Sequence, residues 1–356
     1  SDVFGLPDYA NRKTLQIRLR NSDGAKLIET WAPASEHPNL RFQSCTQTVR
    51  ANLSKVEFEA LVPASEPSLA NPHVICLDEN VEVNVGGSLG VTISQPNVHV
   101  IGTSINRPTF AALRLVSNGN TNEAKLDNVK LVNLGAMAPL YAAGTSIKTV
   151  TYAEIYAPGT SGILFGTDAR QNFRLRDSML FSTGDDRYGI YIDANYPTME
   201  ISNSIIHQTG LYNQPVYFRG FQGALTIRDS QLIAAKGYKA AVRVHQKHTV
   251  TITGSTLQGC YAALDVNVSN TVSLADNVFK KAADPECSST YPAIKTYQTG
   301  NILNDTSTGA GNLACNISTG VKGFAAFWSG TDYTGSFDPA LTRNRGNLDT
   351  QIVNCN

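Results

Sequence analysis

Leu175-Arg-Asp-Ser-Met-Leu180 and, 26 residues later, Ile201-Ser-Asn-Ser-Ile-Ile206 are two copies of one pattern. It reads apolar, any residue, Asp or Asn in most copies, small residue or Ser, any residue, apolar. Upstream it occurs as Val150-Thr-Tyr-Ala-Glu-Ile155 and Leu126-Asp-Asn-Val-Lys-Leu131. Downstream it occurs as Ile227-Arg-Asp-Ser-Gln-Leu232, Ile252-Thr-Gly-Ser-Thr-Leu257 and Leu274-Ala-Asp-Asn-Val-Phe279. The steps between copies are 24, 25, 26, 26, 25 and 22 residues. A period this regular identifies a stacked-repeat architecture. Apolar and polar residues alternate, and Gly, Asn and Asp punctuate the chain at short intervals, which excludes helical repeats. A leucine-rich repeat would show several leucines and an Asn at fixed offsets in each copy, and these are missing. The expectation is an all-β chain, a parallel β-helix of about 8–10 coils whose inward residues form one continuous core. The recurring Asn128, Asp177, Asn203, Asp229 and Asp276 read as bend formers whose side chains satisfy the backbone where each coil turns.

The period sets the boundaries. Residues 1–80 do not follow it and read as an N-terminal cap with leading strands; Thr14 to Arg20 alternates like a strand, and Thr48 to Leu61 fits either a helix or a strand. An end coil needs such cover, because its open edge invites pairing with another chain. Residues 81–300 are the β-helix, and 301–356, where the period fades, are an irregular C-terminal segment that closes or flanks it.

Composition narrows the function. Across 356 residues, 29 basic residues balance 29 acidic ones, and only 16% are charged. A general nucleic-acid binder would carry a basic excess, so no nucleic-acid partner is expected. With 42% hydrophobic residues the chain does not have a disordered composition, and no apolar run reaches the roughly 20 residues of a membrane helix. Polarity comes instead from 29 Asn. Six cysteines, none in a C-x-x-C pair, give no zinc signature. An even count fits disulfides in a secreted or periplasmic protein, although buried thiols would give the same count. Pairing of sequence neighbours would join Cys45 to Cys76, Cys260 to Cys287 and Cys315 to Cys355.

Each repeat holds a second strand whose inward residues align as Ile163, Ile190, Val216, Val242, Leu264 and Ile294. Because side chains alternate across a strand, the next column faces outward: Leu164, Tyr191, Tyr217, Arg243, Asp265 and Lys295. Two residues further lie Asp193, Arg219 and His245, and three before the inward position lie Arg187, Lys239 and Tyr261. Stacked at about 4.8 Å per coil, these residues gather cations, aromatic rings and proton carriers on one face. Like-charged Arg219, Arg243 and Lys239 would repel each other without a ligand between them. The alternative is an ordinary solvent-facing ladder of cross-strand pairs. Asp185 and Asp186, in Thr183-Gly-Asp-Asp-Arg187, form either a solvated turn or a pair able to serve acid catalysis or to hold a hard cation such as Ca2+. No other cofactor is indicated. The remaining histidines have no ligand spacing.

The coil period and this outward face make the chain similar to right-handed parallel β-helix proteins of the pectate-lyase-like superfamily, over about 60% of its length. That resemblance implies a right-handed solenoid and action on polysaccharide, since the superfamily holds polysaccharide lyases, hydrolases, epimerases, tailspikes and adhesins. The polygalacturonase-like hydrolases are matched only at Gly184-Asp185-Asp186; their Gly-His-Gly is replaced by Ser204-Ile-Ile-His207-Gln. Ala293-Ile-Lys295-Thr resembles their Arg-Ile-Lys motif but lies 110 residues after Asp185. Lyases of this fold use a Lys and an Arg on neighbouring coils, and Lys239 and Arg243 are similar in type but share one strand. The expected function is cleavage of an acidic, uronate-containing polysaccharide by β-elimination. Arg219 and Arg243 would neutralise the carboxylate, Lys239 or His245 would act as base, and Tyr191 or Tyr217 would be the acid. Arg187, Asp193, Asp265, Lys295 and Tyr261 would bind substrate. Hydrolysis by an Asp pair, or a non-catalytic binding fibre, are the alternatives; a monomer is expected, since a fibre of the tailspike kind should trimerise.

Overall fold

The computed structural model describes residues 45–315, apart from short segments at 104–105, 168–169, 238, 268–269, 283, 285–286, 288–292, 298–301 and 309–311. Outside that span it describes four strands: Asp2–Gly5, Leu15–Arg20, Lys26–Thr30 and Ala325–Trp328. Three parallel sheets of ten, eleven and ten strands wind the chain into a β-helix. One coil illustrates the course. The second sheet takes Asn172–Arg176, the third sheet takes Met179–Ser182, and the first sheet takes Tyr188–Asn195. The chain then re-enters the second sheet at Thr198–Ser202, directly on Asn172–Arg176. Inward Val, Ile, Leu and Phe side chains from all three sheets form a single apolar column.

The repeated motif straddles the bend from the second sheet into the third. Its third residue is left-handed in all seven copies: Asn128, Tyr152, Asp177, Asn203, Asp229, Gly254 and Asp276 have φ between 46° and 58°. Asn and Asp tolerate this region best after Gly, which explains their recurrence. The residue after it forms a ladder. The Ser178 amide donates to Ser204 Oγ at 3.2 Å, Ser204 N to Ser230 Oγ at 3.2 Å, and Ser230 N to Ser255 Oγ at 3.1 Å. Each of these hydroxyls in turn donates to the carbonyl two residues back, as Ser204 Oγ does to Ser202 O at 2.8 Å. The ladder continues from Ser255 N to Asn277 Oδ1 and from Asn277 N to Asn312 Oδ1. Hydroxyls carry most of it, and side-chain amides take over at the C-terminal end.

Coil stacking begins before residue 81 and continues past 300. His73–Leu77 pairs in parallel with Val98–Gly102, and Gln47–Val49 pairs with His73–Leu77. At the far end Ile302–Asp305, Leu313–Cys315 and Ala325–Trp328 each extend one sheet. These coils were hidden because their bends lack the motif and their lengths differ: Val278 pairs with Leu313, 35 residues on. The segment with two possible readings contains both the strand Gln47–Val49 and the helix Lys55–Glu59, the latter closed by a Ser54–Glu57 capping box. Phe58 of that helix lies edge-on to Phe110, 5.2 Å between centroids, and covers the first coils of the core. Leu15–Arg20 is a strand, the middle one of a three-stranded antiparallel sheet.

Not every inward position is apolar: Ser182 and Gln208 are stacked, fully buried positions of the third sheet, and the second sheet holds a buried lysine. Lys148 is fully buried, and its ammonium donates to Ser146 O at 2.9 Å, to Ser117 O at 3.3 Å and to Gly144 O. Disulfides join Cys45 to Cys76 and Cys260 to Cys287; the expected Cys315–Cys355 pair lies outside the described residues.

Ser204→Ala leaves the buried Ser178 amide without its acceptor and should cost about 1–3 kcal/mol. Urea unfolding should show a lower midpoint with an unchanged m-value.

Candidate active site

The outward columns expected on the first sheet are in register. Leu164 pairs with Tyr191, Tyr191 with Tyr217, Tyr217 with Arg243, Arg243 with Asp265, and Asp265 with Lys295. Five chemically active side chains thus form one row along the solenoid axis. The sheet is widest there: Tyr188–Asn195 and Gln214–Phe221 run eight residues each, where Leu140–Ala142 and Ile163–Phe165 run three. Asp193 pairs with Arg219 in the second column. His245 stands opposite a bulge, because the register slips by one residue between Phe218 and Phe221. Gly220 makes that bulge possible: its φ is +105°, and a Cβ there would sit 1.9 Å from Ala194 O.

The cations are not bare. Arg219 Nε lies 3.6 Å from Asp193 Oδ2, and Arg243 Nε lies 3.4 Å from Asp265 Oδ2. Their mutual repulsion is therefore offset by carboxylates of the same face, which corrects the expectation that only a ligand could hold them together. The two pairs differ in setting. Asp193 and Arg219 are open to solvent, whereas Asp265 is 3% exposed and its Oδ1 has no hydrogen-bond partner. Burial pushes the Asp265 carboxyl up to about 7, against the pull of Arg243 and Lys239. Burial, then Arg243, brings the Lys295 ammonium down to about 8. Lys295 Nζ also sits 3.8 Å above the Tyr261 ring.

Aromatic rings line the other half. Tyr191 and Tyr217 lie 5.5 Å apart, Tyr217 and His245 lie 5.6 Å apart, and the Arg243 guanidinium stands 5.6 Å over the Tyr217 ring. Tyr188, which column reading missed, stacks on Tyr191 at 4.9 Å and meets Tyr217 at 5.2 Å. The available signal was Tyr188-x-x-Tyr191 on one strand, but Tyr188 lies in neither outward column. Burial, then the Asp193 carboxylate, raises the Tyr191 phenol, whose hydroxyl donates to Asp193 Oδ2 at 3.2 Å. Burial raises the Tyr217 phenol, with Arg243 and Arg219 pulling the other way. Burial, then Arg243 and Arg219, holds the His245 imidazole below its ordinary value. The Asn267 amide lies 3.5 Å from His245 Nδ1. Near pH 7 the face therefore presents a neutral imidazole, protonated phenols, the exposed Arg219 and half-buried Arg243 guanidinium groups, and a carboxyl close to its midpoint.

The other expected residues lie at the edges. Arg187 is exposed at the strand entry, its amide donating to Asn213 Oδ1 at 2.8 Å. The Lys239 carbonyl accepts from Tyr261 N at 3.2 Å. Asp185 and Asp186 belong to a turn: Asp185 Oδ1 accepts from Leu211 N at 2.7 Å, and Asp186 is left-handed with φ 53°. Among the described residues no group of three or more His, Cys, Asp or Glu is placed to hold a metal ion. A calcium site takes six to eight oxygens, to which this turn would bring its two carboxylates, and no step below passes through a metal. A second charged cluster went unnoticed in the sequence. On the second sheet Glu200 binds Arg228 at 2.7 Å, Arg176 at 3.1 Å and Arg174 at 3.8 Å. Burial opposes ionisation of Glu200, but these guanidinium groups outweigh it and hold the carboxyl below its ordinary value. The cluster is closed by its own pairs.

No family model and no curated protein sequence matches the chain. Among solved structures it is similar to the DFA-IIIase of Arthrobacter chlorophenolicus A6, both in complex with GF2 and, as the C387A mutant, in complex with DFA-III. Each has a TM-score of 0.51 at 11% identity over 79% of this chain, and the matches cover 81% and 78% of those chains. It also resembles, at a TM-score of 0.41 and 12% identity, the tailspike protein gp49 of Acinetobacter baumannii bacteriophage Fri1, a capsular polysaccharide depolymerase. That match covers 91% of this chain and 69% of the other. At this identity the likeness to the DFA-IIIase defines the class of fold, a β-helix solenoid, and not the reaction.

The buried acid gives a stability prediction. A folded-state value near 7 means that Asp265 ionises with more difficulty in the native protein than in the unfolded chain, so stability falls as pH rises from about 4 through about 7. Asp265→Asn should flatten that slope, seen as a smaller change in Tm between pH 4.5 and pH 8. An unchanged slope would mean that Asp265 ionises normally.

Proposed function

We infer that the first-sheet stripe is the active site of a lyase that cleaves an acidic, uronate-containing polysaccharide by β-elimination. The observation that carries this reading is the grouping of Tyr217, His245, Arg243 and Arg219 on adjoining coils, each in the protonation state the reaction needs. β-Elimination removes the C5 proton of a uronate and expels the oxygen at C4. The C5 proton becomes acidic enough only when the neighbouring carboxylate is neutralised, and Arg219 and Arg243 supply that charge. A neutral imidazole can accept the proton, and the lowered value of His245 keeps it neutral near pH 7. The electron pair forms the C4–C5 double bond and the C4–O bond breaks. Tyr217 gives its proton to the leaving oxygen and is restored from the His245 imidazolium, so protons and electrons balance. Tyr188 and Tyr191 offer ring faces to neighbouring sugars. Lys239, the other candidate base, lies outside the aromatic group and serves substrate binding with Arg187, Tyr261, Asp193 and Lys295. The two disulfides support an oxidising, secreted or periplasmic setting.

A second reading has one specific observation behind it. A carboxyl near 7 beside an arginine is suited to act as a general acid, so Asp265 favours glycoside hydrolysis. Its nearest partner in the second column is Asp193, three coils away at about 14 Å. That exceeds the roughly 5–10 Å of a hydrolase pair.

Polygalacturonate, alginate and hyaluronate should be tested for the ultraviolet absorbance of an unsaturated uronate, with and without chelator. The reading expects absorbance that the chelator does not abolish. It also expects kcat to fall about a hundredfold or more in His245→Ala and Tyr217→Phe. The rate should rise with pH as His245 loses its proton, with a midpoint below that of an ordinary imidazole, and fall only when Tyr217 ionises above the ordinary phenol range. Reducing ends without absorbance, abolished by Asp265→Asn, would select hydrolysis instead.

A further inference from the structure

The corner between the first and second sheets carries another left-handed column. Arg170, Tyr196, Gln222 and Lys247 have φ of 62°, 54°, 55° and 59°. They occupy one position in four successive coils, each two residues ahead of the matched residues Asn172, Thr198, Ala224 and Thr249. In the two preceding coils the matched residues are Thr145 and Thr121, and neither has positive φ. Three of its four members, Tyr196, Gln222 and Lys247, thus directly follow the strands that hold Tyr191, Tyr217, Arg219, Arg243 and His245, and Arg170 follows the neighbouring strand Ile163–Phe165.

The residue types are the informative part. At the bend between the second and third sheets the same backbone conformation is met by Asn, Asp or Gly in six copies of seven, with buried Tyr152 the exception. Here it is met by Arg, Tyr, Gln and Lys, long side chains that a bend alone would not select. All four are exposed, Tyr196 to 50%. A strained conformation kept for long, solvent-facing side chains points to a use for those side chains. The column also adjoins the site. Tyr196 follows Asp193 by three residues, Gln222 follows Arg219 by three, and Lys247 follows His245 by two. Lys247 Nζ stands 4.8 Å from the centre of the Phe221 ring, which pins that end of the row to the first sheet.

We propose that Arg170, Tyr196, Gln222 and Lys247 form a rail that binds an acidic polysaccharide along the solenoid axis, holding sugars beyond the one that reacts. The inference rests on the function proposed for the neighbouring stripe and names the surface that gives it polymer affinity. The ends of the rail are cationic and meet carboxylates. Between them, Tyr196 presents an apolar ring face to a pyranose and Gln222 offers an amide to its hydroxyls. With about 4.8 Å between coils, the four residues span roughly 14 Å, room for more than one sugar.

Glycine separates the two roles of this corner, because it relieves the left-handed bend and deletes the side chain. Tyr196→Gly and Lys247→Gly, singly and combined, should be compared with wild type and with Arg243→Ala. The measurements are affinity electrophoresis in gels containing polygalacturonate, alginate or hyaluronate, kinetics on the same polymers, and thermal melting. The expected result is an unchanged or higher Tm in the double variant, polymer affinity weakened about tenfold, KM raised by a similar factor and kcat within about twofold. Wild-type retardation kept in full by the double variant but lost by Arg243→Ala overturns the rail and leaves the proposed site standing. A wild-type protein retarded by none of the three polymers overturns both.

Discussion

Every coil has to turn from the second sheet into the third at the same height, and the amides at that buried turn must find acceptors. Serine hydroxyls satisfy them one coil at a time, from Ser178 through Ser204 and Ser230 to Ser255, and Asn277 and Asn312 extend the chain of acceptors. An unmet buried amide costs about as much as several good contacts yield, so the ladder fixes each coil against the next. Once that corner is pinned, the alternation of the strands settles which side chains stack on the outer faces. The row from Tyr191 to Lys295 follows from the turn at the opposite corner.

The row shows how a neutral protein can carry a local charge preference. Twenty-nine basic residues cancel 29 acidic ones over the whole chain, yet the first sheet gathers Arg219, Arg243, Lys239 and Lys295 around two carboxylates. One of those carboxylates, Asp265, is buried deeply enough to sit near its midpoint at neutral pH. The partners of the cations are thus unequal. Asp193 is a solvated counter-ion that a substrate carboxylate can replace, whereas Asp265 is held under the sheet surface by Arg243.

The centre of the fold was legible in the sequence, because the motif repeats in seven copies and period-two alternation then assigns the main outward column of the first sheet. The column Tyr191, Tyr217, Arg243, Asp265, Lys295 could be written down without coordinates; the sequence did not fix the cysteine pairing, and the structure joins sequence neighbours Cys45–Cys76 and Cys260–Cys287. The ends were not legible. Strands Gln47–Val49 and Leu313–Cys315 join the same sheets through coils of other lengths, with bends that do not use the motif. Three features of the central coils also escaped. The bulge at Gly220 shifts register by one residue, which alternation alone cannot foresee. Tyr188 reaches the aromatic group from outside the two outward columns. Asp265 is buried although it stands in an outward column, and a column of names does not give depth. The reaction is less legible still, since one solenoid supports many chemistries.

The most direct test of the central claim is where the polymer lies. A crystal structure of the Tyr217→Phe variant soaked with a uronate hexasaccharide would answer it. The account predicts a sugar chain along the first sheet, with one carboxylate between Arg219 and Arg243 and its C5 facing His245. A hexasaccharide bound only against the second or third sheet, with the first sheet bare, would contradict it.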